Sequence, residues 1–556
     1  IQGLAVDSKK IKKGFIFFAI KGNKLNGEKY ISEAVKKGAK VIVCSKNCSF
    51  KSKKIKVIRS ANTRLLLSEI CSKFYKSKPK NIIAVTGTNG KTSVADLFYQ
   101  LLTLNNIPVA SIGTLGTKYK NKIIKSNLTS PDTISLHQIL KKIKENKIEN
   151  VIIEASSHGL SQKRIDNIKL NAGIFTNFSQ DHLDYHKSMK QYLKAKLHLF
   201  TKILPTKKII ITDKSLKEFK ILKKIAKKRN HRLIDINKIK KKLKHKSKLK
   251  LNEFQLNNLS MAVAASKLCN LREEKILKKI ENLKDVNGRL EHVRTFSNNI
   301  KIFVDFAHTP DALSKAIKSL TDTYGQSISL VFGCGGDRDF KKRPIMAKIA
   351  SSKCKKIYVT DDNPRNERPE IIRKEIFSNI KNINRFNIGN RAKAIKLAII
   401  NAEPNETILV AGKGHEAEQI YKNKTLLISD KQIIKKLRIK LKKISNDIQN
   451  FIQNKKIIKE ITKKKITKNF HGLSIDTRVV KKNNLFLTIK GKNNDGIKFI
   501  SKALKKGAKY IITSKNTKMH KSKTIKVDNE IKFLNEFASK KRQNTKAQIL
   551  AITGSA

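Results

Sequence analysis

Asn81-Ile-Ile-Ala-Val-Thr-Gly-Thr-Asn-Gly-Lys-Thr-Ser93 is the stretch from which the fold is read. Its apolar run, Ile82, Ile83 and Val85, predicts a buried strand, and a glycine-bearing turn follows from Gly87 to Gly90. Beyond Lys91, the residues Val94, Leu97, Phe98, Leu101 and Leu102 recur at helical spacing, so the order is strand, loop, helix. Phosphate binding uses that order. Glycines let backbone N–H groups converge on an anion, and the helix N-terminus adds partial positive charge. In such a loop Lys91 reaches the outer phosphates and the Thr92 hydroxyl can ligate Mg²⁺. Only two residues part Gly87 from Gly90, which is not the ordinary Walker spacing, and a plain strand–turn–helix can carry the same letters. The stretch points to a nucleotide and leaves the reaction open.

A chain of 556 residues is too long for one core and implies three or four domains. Lys+Arg 122 against Asp+Glu 43 gives a net charge of +79, a balance that invites a nucleic-acid reading. The lysines are spread over every segment, aromatics make up only 6% and Trp is absent, so no basic stripe with stacking residues is present. No nucleic-acid partner is expected, although the positive field favours anionic substrates. The six cysteines, Cys44, Cys48, Cys71, Cys269, Cys334 and Cys354, form no Cys-x-x-Cys pair and read as buried or incidental thiols. Without a signal peptide or an eighteen-residue apolar run, the expectation is a cytoplasmic protein with no membrane insertion. The chain begins at Ile1 rather than Met, which reads as a trimmed or partial sequence.

One unit occurs twice. Gly3-Leu-Ala-Val-Asp-Ser-Lys9 matches Gly472-Leu-Ser-Ile-Asp-Thr-Arg478, and Gly22, Gly27 and Gly38 match Gly491, Gly496 and Gly507, always 469 positions apart. Shared loop glycines imply one fold used twice, a duplicated module rather than a solenoid. Between the copies, strands run into polar loops: Val151-Ile-Ile153 into Glu154-Ala-Ser-Ser-His158, and Ile174-Phe175 into Asn177 to His186. A second α/β unit starts near residue 285, with strand ends at Asp305, Gly333, Asp361 and Gly412. Open α/β sheets bind ligands at such ends. Residues 441–466 read as a helical or loose linker, and 549–556 repeat Ile82 to Asn89, stopping before a second Gly-Lys.

Mg²⁺ wants oxygen ligands, and Glu154 opens a loop beside the phosphate loop, with His182 a second, less usual ligand. Lys196 looks like an ordinary helix lysine. In the later unit, Gly335-Gly-Asp-Arg338, Asp362-Asn-Pro-Arg365 and Gly412-Lys-Gly-His-Glu416 bring two arginines and a carboxylate to one sheet edge. That set suits a zwitterionic amino acid, arginines on carboxylates and Glu416 on an ammonium.

Together with Asp7-Ser8, Asp181-His-Leu-Asp-Tyr-His186, Gly288-Arg-Leu-Glu291 and Asp305-Phe-Ala-His-Thr-Pro310, these motifs form a long ordered set that resembles the Mur ligases of peptidoglycan synthesis. The resemblance covers residues 1–440 and is strongest to the members that add meso-diaminopimelate; residues 467–556 resemble the N-terminal domain of the D-alanyl-D-alanine-adding member, as in a fused bifunctional protein. It implies an α/β architecture: a UDP-binding domain over 1–78, a central ATP-binding parallel sheet over 79–283, a Rossmann-like amino-acid-binding domain over 284–440, and a second N-terminal-type domain over 467–548. It implies ATP and Mg²⁺, with carbon dioxide held as a carbamate on Lys196. Gly87, Thr88, Asn89, Gly90, Lys91, Thr92, Ser93, Asn258, Arg289 and Asp305 would bind ATP. Thr92, Glu154, His182 and carbamylated Lys196 would hold metal, and Lys91, Lys196, Glu154 and His182 would be catalytic. Ser8, Thr129, Ser130, Ser156, Gln162 and Arg164 would bind UDP-N-acetylmuramoyl-L-alanyl-D-glutamate. Arg338, Asp362, Asn363, Pro364, Arg365, Gly412 and Glu416 would select meso-diaminopimelate, and a monomer is expected.

Three departures from the family pattern stand out. Gln255 replaces a usual Asn, Phe306 replaces a usual Tyr, and the span from Phe200 to Phe254 is short, so part of the central domain's late strands is expected to be missing. The competing readings are an L-lysine-adding member, a folylpolyglutamate synthetase-like enzyme, and a non-catalytic ATP- or nucleic-acid-binding protein.

Overall fold

The structure is a computed structural model. It describes residues 1–437 apart from 23–24, 127, 247–250, 297, 326–327 and 382, together with 457–463, 470 and 472–543 apart from 492–493 and 518–519. The chain divides into two compact units, Ile1–Leu437 and Arg438–Ala556.

The first unit contains three sheets of four, eight and six strands, and a two-stranded hairpin. Strand Asn81–Thr86 lies inside the eight-stranded sheet, between parallel neighbours Ala172–Phe175 and Asn150–Glu154. Its continuous apolar run follows from burial on both faces. Ile83 and Val85 enter one core with Val94, Phe98 and Leu101 of helix Lys91–Leu104, while Ile82 and Ala84 enter the other with Leu136 and Leu140 of helix Thr133–Glu145. Helix Glu253–Lys267 is buried from Asn258 through Ser266, with the apolar run Met261 to Ala265 at its centre.

The late strands expected to be missing are present. Ile209–Thr212 and Arg232–Asp235 extend the central sheet in parallel beyond Ala172–Phe175. One short helix, Phe219–Lys228, makes the crossover between them, which is why so few residues suffice. At the other edge, Gly116–Tyr119 and Lys122–Ile124 continue antiparallel from Val109–Gly113.

The six-stranded sheet orders Glu291–Thr295, Lys301–Asp305, Thr407–Ala411, Ile328–Phe332, Cys354–Val359 and Arg385–Asn387, parallel except for the first pair. The N-terminal sheet, Gly3–Ala5, Phe15–Phe18, Ala39–Ser45 and Lys56–Ser60, is wholly parallel. Its helix Thr63–Phe74 is tied to the central domain by Ser68 Oγ, which donates to Asp166 O at 2.7 Å.

The second unit has its own four-stranded parallel sheet, Gly472–Ser474, Asn484–Leu487, Tyr510–Thr513 and Thr524–Lys526. Gly3 pairs with Phe15 and Gly472 with Asn484, which keeps the 469-residue offset. At the last strand the offset changes to 467, because Ile42 faces Val57 whereas Ile511 faces Thr524. Residues 457–462, inside the stretch read as linker, are helical, and Ile457 and Ile458 enter this unit's core beside Phe470 and Phe533. The repeat at 549–556 lies outside the described residues. Among the described residues no helix is long and apolar enough to cross a membrane. All six cysteines are buried.

Candidate functional site

The turn after strand Asn81–Thr86 is held by a neighbouring loop. Thr88 N donates to Asn177 O at 2.9 Å, Asn89 N to Asn177 Oδ1 at 2.9 Å, and Thr176 Oγ1 to Asn89 O at 2.6 Å. Gly90 caps helix Lys91–Leu104 at φ +87°, and a Cβ there would meet Asn258 Oδ1 at 2.5 Å. Glycine is required on both counts, left-handed backbone and close approach. Asn258 therefore sits on the loop itself. Gln255 caps its helix instead, in a reciprocal pair with Asn252.

Two lysines meet at one carbonyl. Lys91 Nζ donates to Gly87 O and Thr88 O, both at 2.8 Å, and Lys196 Nζ donates to Gly87 O at 2.6 Å. Lys196 shares a helix face with Tyr192, whose ring lies 4.4 Å from Nζ. Burial drives both ammonium groups below the usual lysine range, and the Lys91 charge pushes Lys196 well below it. The helix carrying Lys196, Met189–His198, runs into a wider π turn over Leu199–Ile203.

Glu154 is the hub. Its carboxylate accepts from Thr92 Oγ1 at 2.9 Å, from Thr114 N at 2.8 Å and from Thr114 Oγ1 at 3.0 Å. Thr114 Oγ1 also reaches Thr129 Oγ1 at 3.2 Å. Ser130 Oγ donates to the Glu154 carbonyl at 2.7 Å and lies 3.0 Å from Ser156 Oγ. Arg164 donates to Ser130 O at 2.8 Å and to Gln162 Oε1 at 2.7 Å. Five of the six residues expected on the muropeptide are thus wired to the end of the phosphate loop. The sixth, Ser8, lies apart in the N-terminal sheet's domain and donates to Glu33 Oε2 at 2.8 Å.

His182 stands in the left-handed region at φ 53°, 3.3 Å from Asp181 Oδ2, and packs edge-on against His158. Burial lowers its pKa to about 3, so the ring is neutral near pH 7 and can offer a lone pair. Asp181 is nearly buried, which alone would raise its carboxyl; His182, His308 and Lys342 outweigh this and hold it well below the usual range. The oxygens of Thr92 and Glu154 fit a hard cation. Among the described residues no three His, Cys, Asp or Glu side chains converge on one point, so such an ion would keep waters and phosphate oxygens as ligands.

The six-stranded sheet adds a cation to this loop. Arg289 Nη2 donates to Thr92 Oγ1 at 3.1 Å, and its guanidinium stacks on Phe306 at 4.5 Å from the ring centroid. The stacking face needs no hydroxyl, which accounts for Phe where a Tyr was expected. Asp305 is committed to backbone, accepting from Leu290 N at 2.6 Å and Ala307 N at 2.7 Å. Asn89 Nδ2 donates to Asp311 at 3.0 Å and Gln180 Nε2 to Asp339 at 3.3 Å, two further bonds between the sheets.

On the same sheet edge, Asn363 Nδ2 donates to Glu416 Oε2 at 2.9 Å, and the fully buried Lys413 donates to Asn363 Oδ1 at 3.1 Å. Arg365, at φ 53°, donates from Nη1 to Gly336 O at 2.8 Å. Burial and the neighbouring Arg338 make its charge costly, so a carboxylate there would be welcome. Pro364 follows Asn363 in the rigid turn, and Gly412 at φ 111° leaves room for Asp362 Oδ2, 2.5 Å from where a Cβ would stand. Sequence reasoning assigned no role to Thr114, Asn177 or Lys413, although Asn177 opens the polar loop that runs to His186 and Lys413 stands inside the Gly412–Glu416 motif.

Residues 85–272 match the Mur ligase middle domain and 288–414 the glutamate ligase domain of Mur ligases. Residues 1–75 and 469–542 each match the domain described as Mur ligase family, catalytic domain. The chain is 38% identical over 463 residues to the UDP-N-acetylmuramoyl-L-alanyl-D-glutamate–2,6-diaminopimelate ligase of Rickettsia montanensis, spanning 78% of this chain and 95% of that relative. A solved ligase structure of the same description aligns with a TM-score of 0.53 at 25% identity, covering 78% of this chain and 93% of its own. The MurF ligase from Thermotoga maritima in complex with ADP shares the fold, with a TM-score of 0.51 at 16% identity over 74% of this chain and 94% of its own. Sheet order, phosphate loop and these similarities agree: the chain belongs to the Mur ligase family, ATP-dependent enzymes that form amide bonds in peptidoglycan synthesis.

Proposed function

We propose that this chain joins meso-diaminopimelate to the D-glutamate carboxylate of UDP-N-acetylmuramoyl-L-alanyl-D-glutamate, cleaving ATP to ADP and phosphate. The observation that carries the reading is the continuous hydrogen-bonded path from Thr92 through Glu154 and Thr114 to Thr129, with Ser130 bonded to the Glu154 backbone. It joins the phosphate donor's loop to the acceptor's loop. The name and identity of the Rickettsia relative support the choice of substrates.

A carboxylate acylates poorly because its leaving group is oxide. The γ-phosphoryl group of ATP therefore moves to a carboxylate oxygen, ADP leaves, and an acyl phosphate remains. The diaminopimelate amine then attacks the carbonyl carbon, the C–O bond to phosphate breaks, and the amine gives up a proton. Lys91 and Arg289 supply positive charge where phosphate charge is redistributed. Ser130, Ser156, Gln162 and Arg164 orient the acceptor carboxylate, and Ser8 contacts the uridine end. Asn258 borders the adenine, and Asn363, Arg365 and Glu416 orient the amino acid. Mg²⁺, held by Thr92 and Glu154 with His182 and a Lys196 carbamate, would supply charge neutralisation for the phosphates. The carbamate fits this site because two buried amines share Gly87 O. As a carbamate, Lys196 would set a negative charge beside the Lys91 ammonium in place of a second amine.

Residues 467–548 are read as the N-terminal domain of a second, D-alanyl-D-alanine-adding ligase, and the protein as a cytoplasmic monomer that takes no nucleic acid. The mechanism is tested with the acceptor glutamate carboxylate labelled with ¹⁸O. One label in the released phosphate is expected, and unlabelled phosphate would refute the acyl phosphate.

A further inference from the structure

The loops expected to grip the amino acid leave strands that are not neighbours. Cys354–Val359 leads to Asp361–Arg365 and Thr407–Ala411 leads to Gly412, with Ile328–Phe332 between them. No ladder joins the two strands directly, yet their loops touch, since Asp362 Oδ2 occupies the space a side chain at Gly412 would need. Asn363 bonds Glu416 and Lys413 across the top of the gap, and the strand ends beneath need a tie of their own.

Arg391 spans that gap. Its Nε and Nη2 donate to the two oxygens of Asp430, each at 2.7 Å. Nη2 also donates to Ala411 O at 2.9 Å, and Nη1 to Asp361 O at 3.4 Å. These carbonyls belong to the residues immediately before Gly412 and Asp362. Gln419 Nε2 donates to the same Asp361 carbonyl at 3.1 Å. Both side chains of the Arg391–Asp430 pair are 0% exposed. Burial at this depth removes hydration from two charges, and an apolar pair of similar volume often stabilises a fold as well. Stability alone therefore does not account for the pair, whereas two aimed N–H groups on two loop carbonyls do.

We propose that Arg391, oriented by Asp430, is a positioning residue that fixes the distance between the Asp362–Arg365 turn and the Gly412–Glu416 loop, and through them the fit of the incoming amino acid. The role rests on the diaminopimelate reading of that pocket. Lysine cannot replace arginine here, because its single ammonium lacks the fork that reaches Asp430 and both carbonyls together.

The test uses the full chain with R391K, D430N and the double variant R391M/D430L. ADP release gives the KM for meso-diaminopimelate, ATP and the UDP-dipeptide, and thermal unfolding reports stability. The double variant should fold, because it leaves no lone buried charge. Its KM for diaminopimelate should rise about tenfold or more, on the scale of losing buried charged hydrogen bonds, with the other two constants unchanged. If the double variant does not fold, R391K decides by the same selective rise. A diaminopimelate KM at the parent value, or three constants rising together with loss of stability, would overturn the positioning role. A parent protein indifferent to diaminopimelate would instead overturn the reading of the pocket on which the role rests.

Discussion

The phosphate loop and the amino-acid pocket solve the same problem, holding an anion, by opposite means. The loop does it with contiguous chain: Gly87 to Lys91 turn onto a helix N-terminus, and the Thr176–Ser179 loop and Lys196 fasten them. The pocket is assembled from three loops on separate strands, joined by side chains such as Lys413 and Arg391 that are fully buried. The difference teaches where damage should travel. A change at the phosphate loop should act locally and on the rate, whereas a change under the pocket should spread to every loop it supports and act on one substrate's binding.

The sharpest way to break this contrast is Lys91→Ala. The cation is lost and the fold kept, so turnover should fall at least ~10³-fold, the upper range for removing one preorganised group at a site of developing charge. Circular dichroism and ADP release check it, and near-parent turnover in a folded variant would remove the phosphate-loop assignment. Lys196→Ala should be comparably inactive, and added formate should restore part of the activity by returning oxygens to the cavity. Parent-like turnover without formate would exclude a carbamate. At the pocket, Arg365→Ala should weaken meso-diaminopimelate by roughly 2–5 kcal/mol, as for truncating one member of a buried charge pair. The KM for ATP should stay put; if it moves equally, the two sites are not separable as described.

The same contrast explains what could be read in advance. Strand Asn81–Thr86, its turn and its helix were legible because one local pattern specifies all three, and the duplicated sheets were legible through glycines kept at one offset. Thr176 and Asn177 were not, since nothing local marks a loop some 87 positions away as a clamp. The strands Ile209–Thr212 and Arg232–Asp235 were missed because length was weighed against the family instead of against the minimum a strand–helix–strand crossover needs. Gln255 stands out in the sequence only as a departure from the family's Asn, and the structure gives it a role in the capping pair with Asn252. Arg391 and Asp430 each begin an ordinary helix, and only tertiary packing reveals that they meet.

Smaller effects sharpen the boundaries. Outside both sites, His137 is fully buried without a hydrogen-bond partner, and burial lowers its pKa from 6.5 to about 3. The unfolded chain binds that proton more readily, so this contribution to stability is complete above about pH 6.5 and is lost as pH falls toward 3. Urea unfolding should show stability declining below about pH 6.5, and His137→Leu should make the decline shallower. Equal slopes would mean the ring is not buried neutral. The least effect of all is expected from ending the chain after residue 445. Every residue assigned to ligation lies in the unit Ile1–Leu437, so ligation should be unchanged, and its loss from a folded shortened protein would make the C-terminal unit part of the active site.

The central claim is that this Mur ligase recognises the second carboxylate of its amino acid. ADP release measured with ATP and UDP-N-acetylmuramoyl-L-alanyl-D-glutamate, in parallel with meso-diaminopimelate and with L-lysine, tests it most directly. The account predicts release that requires the UDP-dipeptide and is strongly stimulated by meso-diaminopimelate, with little response to L-lysine, which lacks the distal carboxylate that Arg365 would clamp. Equal stimulation by the two amino acids, or by L-lysine alone, would contradict it.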